Sequence, residues 1–157
     1  MPDSNNPASL NFIPATVPNA ELLRTLVHRC YTSDHIPIND QHIRTGLDQL
    51  LRDSSLGHAW LIYRDQQLAG YTILTFGFDI EFGGRYALIT DLYIEPAHRR
   101  LGLGQQILEH LQTFCRRNSI PSLQLQVQRD NTPAHSLYIK FGFQPFDRIP
   151  MAKPIDC

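Results

Sequence analysis

The chain has 157 residues, of which 42% are hydrophobic, and this composition fits one globular domain with its own core. Its net charge is −1 with histidine neutral, and its basic residues are dispersed apart from two Arg-Arg pairs, so nucleic acid is not expected as a partner. No apolar run approaches the roughly 20 residues that cross a bilayer, and no basic segment followed by an apolar core opens the chain. We therefore expect a cytoplasmic protein with no membrane partner.

The first half of the chain predicts a strand, two helices and three further strands. Residues 1–9 are rich in Pro, Asn and Ser and predict a loose tail, so a single domain is expected over residues 10–157. "LNFIPAT" predicts a strand, and apolar residues at helical spacing predict one helix after Pro18 and another from Asp40 to Arg52. The runs "HAWLIYRD", "QLAGYTILTFGFDI" and "RYALITDLYI" then predict three successive antiparallel strands.

The second half returns to helices separated by a strand. A helix is expected after Pro96 and up to about Asn118, followed by a strand in "LQLQVQ". A short helix is expected with Thr132 as its N-cap and Gly142 as its stop, and "FQPFDRIPMA" is expected to add a last strand or two. The predicted fold is therefore mixed α/β, with a central sheet of six to seven strands flanked by about four helices.

The cysteines and histidines carry no sign of a metal centre. The three cysteines are widely separated, without the paired spacing of a zinc site or a disulfide framework. The seven histidines likewise contain no HxxxH pair. We expect free thiols and no bound metal.

The segment "RRLGLGQ", residues 99–105, lies where a predicted strand gives way to a helix. A helix start exposes unpaired N–H groups and the positive end of the helix dipole, and glycines let a phosphate approach the backbone. A Walker loop would need Lys-Ser/Thr where Gln105-Gln106 stand, and a dinucleotide fingerprint would need a small residue at Ile107. The remaining interpretations are another kind of anion site or glycines that only fit a tight turn.

Two motifs in register with the predicted elements resemble the GNAT N-acetyltransferase superfamily. Arg99, Gly102 and Gly104 fill the pattern Arg/Gln-x-x-Gly-x-Gly/Ala after a strand. Downstream, "NTPAHSLYIKFGF" is similar to the second family motif, and "LYIEPAHR" is similar to the exit of the family's fourth strand. The resemblance therefore implies a GNAT-like acyl-CoA N-acyltransferase fold.

The resemblance also implies where acetyl-CoA, as acyl donor, would bind. Its pantetheine arm would lie beside the backbone of Leu92, Tyr93 and Ile94, as an added strand does. The backbone around the turn would hold the pyrophosphate. Cofactor contacts are thus expected at Leu92, Tyr93, Ile94, Arg99, Arg100, Leu101, Gly102, Leu103, Gly104, Gln105 and Asn131. For Asn131, capping of the loop is the alternative role.

The catalytic residues implied by the family are a general acid and a general base. Tyr138 matches the tyrosine that protonates the departing thiolate; an ordinary half-buried helix aromatic is the alternative. Family members often place the carboxylate that serves as general base on the fourth strand, at the position where this sequence has Thr90. Strict alternation puts Leu88, Thr90, Leu92 and Ile94 on one face and Asp91 on the other, but a β-bulge would return Asp91 to the site. Asp91 is therefore a candidate base or substrate-orienting residue.

The acceptor in this superfamily is recognised by the first two helices, their loop and the hairpin near residues 77–86. Acidic and aromatic side chains there suit a cationic amine, although a solvated loop would look similar. These candidates are Tyr31, Asp34, Asp79, Glu81 and Phe82. We expect transfer of the acetyl group to a primary amine of a small molecule or peptide by direct attack in a ternary complex. The resemblance also implies a homodimer, because dimers are common in this superfamily. The alternative is a non-catalytic acyl-CoA-binding or partner-binding module.

Overall fold

The computed structural model describes residues 9–156. The chain forms two compact units, and the boundary along the sequence lies between Gln126 and Val127. The first unit contains the sheet and three helices, and the second contains one helix and the C-terminal segment. None of the helices in the described range is long and apolar enough to cross a membrane. A single domain over residues 10–157 stays a prediction.

The first unit is built on a five-stranded sheet in the order β1-β2-β3-β4-β5. Neighbours pair antiparallel from β1 to β4, whereas β5 runs parallel to β4 after a helical crossover. Short turns join β2 to β3 and β3 to β4, and these pairs are antiparallel, whereas a helix lies between β4 and its parallel neighbour β5. The strands are β1 Leu10–Pro14, β2 Gly57–Arg64, β3 Gln67–Asp79, β4 Gly84–Ile94 and β5 Ser122–Leu125.

Four α-helices lie in the described residues, as the sequence predicts. They are α1 Ala20–Ser33, α2 Asp40–Arg52, α3 Leu103–Arg117 and α4 Thr132–Phe141. The predicted bounds of α2 are confirmed, because Asn39 accepts a hydrogen bond from the His42 N–H and ends the loop before the helix. The helix expected after Pro96 starts later, at Leu103, after a single 3₁₀ turn over residues 96–98.

The prediction of six to seven strands is wrong for the described residues, which form five. Residues 143–152, expected to supply a last strand or two, have no regular secondary structure. Pro145 and Pro150 remove two backbone donors from this segment, which weakens any pairing with a sheet edge. The strand expected in "LQLQVQ" is also shorter than predicted and ends at Leu125.

Strand β4 contains a bulge at Thr90. Ile73 on β3 pairs with Asp91, and the next residue, Leu74, pairs with Ile89, so Thr90 has no partner of its own. Because paired residues project to the same face, the bulge places Asp91 and Ile89 on opposite faces of the sheet. Strict alternation along β4 is therefore wrong, and the bulge hypothesis is confirmed.

The side of the sheet that bears Asp91 packs against α1 and α2. Leu23, Leu26, Val27 and Cys30 follow helical spacing along α1, and all of them are buried. They form one core cluster with Ile43 and Leu47 of α2 and with Tyr71, Ile73 and Tyr93 of the sheet. Asp91 thus lies beside a continuous apolar core.

The aromatic side chains of β1, β2 and β3 pack against α3. Phe12 stacks on His110 with ring centroids 3.9 Å apart, and Trp60 meets the edges of His110 and Phe114. Burial lowers the pKa of both His58 and His110, and Arg117 lowers that of His110 further. Both histidines are therefore held toward their neutral forms.

The second unit is organised around α4. The N-cap is Asn131, whose Oδ1 accepts a hydrogen bond from the Ala134 N–H at 3.3 Å, so the cap lies one residue before the predicted Thr132. Gly142 ends the helix in the left-handed conformation, with φ 112°, as predicted. The Tyr138 ring packs edge-on against Phe143, with centroids 5.8 Å apart.

Candidate functional site

The C-terminal half of β4 has an unpaired edge. The parallel register with β5 runs from Tyr86↔Ser122 to Ile89↔Leu125, and among the described residues no strand accompanies β4 beyond that point. On the other side, the Glu95 N–H bonds to the Ala69 carbonyl at 2.8 Å. The alternation of an antiparallel ladder then turns the amide groups of Leu92 and Ile94 away from β3, toward the unpaired edge.

The turn after β4 has a backbone suited to an anion. Arg100 and Gly102 are both left-handed, with φ 62° and 76°, and α3 begins at the next residue, Leu103. Backbone N–H groups at such a turn and at a helix start point into a common concavity and favour negative charge. The strained φ of Arg100, a residue with a side chain, is the kind of feature that clusters at functional sites.

Arg99 links the turn to the strand. Its Nε donates a hydrogen bond to the Ile94 carbonyl at 2.9 Å, and its guanidinium carbon lies 5.7 Å from the centre of the Tyr93 ring. The Arg99 side chain therefore fixes the position of the turn against the exit of β4. The Arg100 side chain is exposed beside it.

Asp91 is half-buried and receives a hydrogen bond from a buried tyrosine. The Tyr71 hydroxyl donates to Oδ2 of Asp91 at 2.7 Å, and Tyr71 itself has no exposed surface. Burial raises the pKa of Asp91, the Tyr71 hydrogen bond opposes that shift, and the charge of Asp34 adds to it. The carboxylate is thus a stronger base than an exposed aspartate.

Other titratable groups on α1 surround this pair. Burial raises the pKa of Cys30 to about 12, and burial together with the Asp91 and Cys30 charges raises that of Tyr31 to about 12. The Cys30 thiol lies 3.9 Å from Oδ2 of Asp34. The Cys30 thiol and the Tyr31 hydroxyl are therefore uncharged near neutral pH, and the raised pKa of Asp91 favours its neutral form.

A cavity of about 470 Å³ lies between helices α1 and α2 and the sheet, and we call it the α1–α2 cavity. Thr90 and Asp91 at the β4 bulge reach it, as do Tyr31 from α1 and Gly46 from α2. The rest of its lining is Val27, Pro37, Asn39, His42, Ile43, Leu47, Gln49, Leu50, Leu56, Ile73 and Thr75. A cavity of this size and apolar character is typical of a small-ligand site.

The structure brings some of the predicted site residues together and leaves others apart. Tyr31 and Asp91 share the α1–α2 cavity, and Asp34 lies beside them. Asp79, Glu81 and Phe82 belong to the hairpin between β3 and β4 and are not in the cavity lining; the Asp79 carboxylate accepts from the Glu81 N–H at 2.9 Å. Asn131 and Tyr138 lie in the second unit, on or next to α4.

Two residues at the candidate site, Tyr71 and Gly46, are not among those that the sequence predicts there. Tyr71 reads as an ordinary strand aromatic, and only its pairing opposite Tyr93 brings its hydroxyl to Asp91. Gly46 did carry a signal, because glycine is unfavourable inside a helix. Among the described residues, no three His, Cys, Asp or Glu side chains gather as a metal-binding group.

Solved structures with the same fold are N-acetyltransferases and related proteins. A predicted acetyltransferase from Clostridium acetobutylicum, solved with acetyl-CoA, superposes with a TM-score of 0.78 at 22% identity, covering 92% of this chain and 96% of that one. An aminoglycoside N-acetyltransferase in complex with CoA superposes with a TM-score of 0.77 at 12% identity, covering 96% and 97%. The chain therefore has the α/β fold of this class.

The sequence profile of the acetyltransferase (GNAT) family matches residues 20–143, and the chain belongs to this family. A similar curated protein is the putative ribosomal protein bS18-alanine N-acetyltransferase of Bacillus subtilis, 33% identical over 95 residues. That match covers 60% of this chain and 59% of the relative, so the chain spans less than two thirds of that relative's length.

Proposed function

We propose that the protein is an N-acetyltransferase that transfers the acetyl group of acetyl-CoA to a primary amine of a small molecule or peptide. The observation that carries the proposal is the build of β4: its unpaired edge leads to the anion-binding turn, and its bulge directs Asp91 into the α1–α2 cavity. In this proposal, the unpaired edge of β4 binds the acyl donor, acetyl-CoA, and the face of β4 toward the α1–α2 cavity binds the acceptor amine. The proposed reaction is a direct attack in a ternary complex.

Acetyl-CoA would bind along β4 and the turn. The amide group of Leu92 and the N–H of Ile94 face the unpaired edge and suit the amides of the pantetheine arm, whereas the Tyr93 amide faces β3. The backbone N–H groups of Arg100–Gln105 suit the pyrophosphate, with Arg99 bracing the turn. The contact expected at Tyr93 is therefore not made through its backbone amide.

Asp91 would act as the general base. A primary amine is protonated at neutral pH and must lose a proton before it attacks, and a carboxylate with a raised pKa accepts that proton more readily than an ordinary one. The amine nitrogen then bonds to the thioester carbonyl carbon, and the carbonyl oxygen carries the negative charge. A backbone N–H of β4 at the unpaired edge would stabilise this oxyanion.

Tyr138 would act as the general acid. When the tetrahedral intermediate collapses, the C–S bond breaks and the thiolate takes the phenolic proton. The acetylated nitrogen releases its second proton to solvent and the phenolate is reprotonated from solvent, which leaves the N-acetyl product and CoA. This role is supported by the position of Tyr138 in the second family motif. Asn131 caps α4 through Oδ1 and keeps its amide N–H₂ for a cofactor contact.

The relatives support an amine as the acceptor. Their names specify an alanine of a ribosomal protein in one case and an aminoglycoside in another. Both are amine acceptors, although they differ widely in size and charge.

The test is acetyl transfer measured as free CoA thiol and as acetylated product by mass spectrometry, with acetyl-CoA and a broad panel of primary amines. Asp91→Asn should lower kcat/KM by about 10²–10⁴-fold with little change in acetyl-CoA affinity. Asp65→Asn, in the turn between β2 and β3, is the matched control and should behave as wild type. Tight acetyl-CoA binding with no product from any amine would instead identify the non-catalytic binding module.

A further inference from the structure

The α1–α2 cavity owes part of its width to a glycine in the middle of α2. Gly46 is exposed, and a Cβ built on it meets no atom within 4 Å, so packing does not require a glycine there. Its backbone is not left-handed either, and glycine destabilises a helix interior relative to alanine. The missing side chain therefore has one visible consequence, which is open space in the cavity wall.

The neighbours of Gly46 on α2 form an apolar wall with a polar border. Ile43, Leu47 and Leu50 lie at helical spacing around Gly46 and line the cavity. The polar lining from α2 and its N-cap is Asn39, His42 and Gln49, none of which is a carboxylate. This wall suits an apolar ligand body far better than a polycationic one.

A single carboxylate lines the α1–α2 cavity in the part of the chain that the structure describes. Among the described residues that line it, Asp91 is the only acidic one, and none is lysine or arginine. Asp91 lies on the sheet side, next to Ile73 and Thr90, while α1 contributes Val27 and the Tyr31 ring. One carboxylate, one aromatic ring and aliphatic walls match a ligand with one ammonium group.

We propose that the acceptor is a primary amine with one cationic nitrogen on an apolar body, and that Gly46 provides the space for that body. The inference rests on the proposed function, because it assigns the α1–α2 cavity to the acceptor. Arylalkylamines and peptide N-termini with an apolar first residue share this chemistry. A polyamine or an aminoglycoside would bring several ammonium groups to one carboxylate and leave the rest against apolar side chains.

The first experiment compares acceptors on the wild-type protein. The probes are ethylamine, phenethylamine, the dipeptide amide Phe-Ala-NH₂, spermidine and kanamycin, each measured for acetyl transfer and, separately, for binding by saturation-transfer NMR with CoA present. We expect phenethylamine or the dipeptide amide to exceed spermidine and kanamycin in kcat/KM by about tenfold or more. A preference for phenethylamine would indicate a free amine as acceptor, and a preference for the dipeptide amide would indicate a peptide N-terminus. Preference for either polycation would overturn the inference while leaving the transferase function intact.

The second experiment fills the space over Gly46. Gly46→Leu should raise the KM, or the dissociation constant, of phenethylamine by about tenfold or more while changing that of ethylamine little, because only the larger body needs the space. Thr45→Leu adds a leucine at the neighbouring exposed α2 position, outside the cavity lining, and should leave both amines unaffected. Thermal unfolding of both variants checks folding, which leucine in place of glycine should favour within a helix.

The two readouts separate the inference from the proposed function. Selective loss of phenethylamine binding in Gly46→Leu, without turnover of any amine by the wild type, would support the inference about the ligand and overturn the transferase activity. Equal affinity of Gly46→Leu and wild type for phenethylamine would overturn the inference. The inference would also be overturned if the folded wild-type protein binds CoA but binds neither phenethylamine nor the dipeptide amide.

Discussion

The hydroxyl of Tyr71 on β3 donates a 2.7 Å hydrogen bond to Oδ2 of Asp91 on β4, and both groups lie on the α1–α2 side of the sheet. The pairing depends on the bulge at Thr90, which brings Asp91 opposite Ile73 and onto the face that carries Tyr71. Tyr71 is not in the cavity lining, so it acts on Asp91 and not on a ligand. It is a positioning residue for the candidate base.

Tyr71→Phe should shift the pH dependence of the reaction. The lost hydrogen bond stabilises the charged carboxylate, so the pKa of Asp91 should rise further. The acidic limb of the kcat/KM profile should therefore move to higher pH. Tyr63→Phe, which removes a hydroxyl from a neighbouring aromatic of the same core side, should leave the limb in place. An unchanged acidic limb in Tyr71→Phe would separate Asp91 from the rate-determining deprotonation.

Tyr138→Phe should slow chemistry without weakening cofactor binding. Loss of a general acid typically costs about 10²–10⁴-fold in rate, and the remaining ring can still pack against Phe143. Pre-steady-state CoA release and calorimetric titration with CoA measure the two effects separately. A normal rate in Tyr138→Phe would show that another group or water protonates the thiolate.

Gly102→Ala should weaken CoA binding through the backbone conformation of the turn. Gly102 has φ 76°, and a Cβ there meets no atom within 4 Å, so alanine would be disfavoured by its conformation and not by a clash. We expect a loss of about 1–2 kcal/mol in folding stability or CoA affinity. Gly83→Ala has a matched geometry, with φ 80° and open space, but lies in the β3–β4 hairpin.

The comparison of these two glycine variants isolates the turn. Both should show a similar decrease in the free energy of unfolding, measured with urea, because the backbone cost is the same. Only Gly102→Ala should also raise the dissociation constant for CoA. If Gly83→Ala weakens CoA binding to the same degree, the effect comes from general destabilisation.

Acidification should destabilise the fold through His58 and His110. Burial lowers the pKa of both in the folded state, so the unfolded chain binds more protons below about pH 6.5. The stability that these histidines provide is therefore complete above about pH 6.5 and is lost as the pH falls toward their lowered values. Urea unfolding at about pH 7.5 and about pH 5.5 measures the difference.

His110→Phe assigns that pH dependence to one residue. Phenylalanine retains the stacking on Phe12 and cannot be protonated, so the difference in stability between the two pH values should shrink. His42→Gln, at an exposed position on α2, should leave the difference unchanged. A wild-type pH dependence in His110→Phe would exclude His110 as its source.

Local sequence was sufficient for the presence of the four helices but not for every bound, since α3 begins at Leu103 and not directly after Pro96. The bounds of α2 from Asp40 to Arg52 follow from its apolar spacing and its Asn39 cap, both of which are short-range. The glycines of "RRLGLGQ" predict either an anion site or a tight turn, and the left-handed conformation of Gly102 fits both. The structure of residues 143–152 was wrongly predicted as a strand from their apolar content. Pro145 and Pro150 oppose strand pairing in this segment, which has no regular secondary structure.

The sequence by itself determined which residues this protein can use: an arginine and two glycines at a helix start, an aspartate on the fourth strand, and a tyrosine and an asparagine in a second motif. Only the tertiary structure decided which way Asp91 faces, because a bulge depends on the register with β3 and register is a long-range property. The same pairing brought Tyr71 to Asp91, and the packing of α2 over the sheet turned Gly46 into the open wall of a cavity. Spacing along one chain cannot show such contacts, since they form between elements that folding brings together.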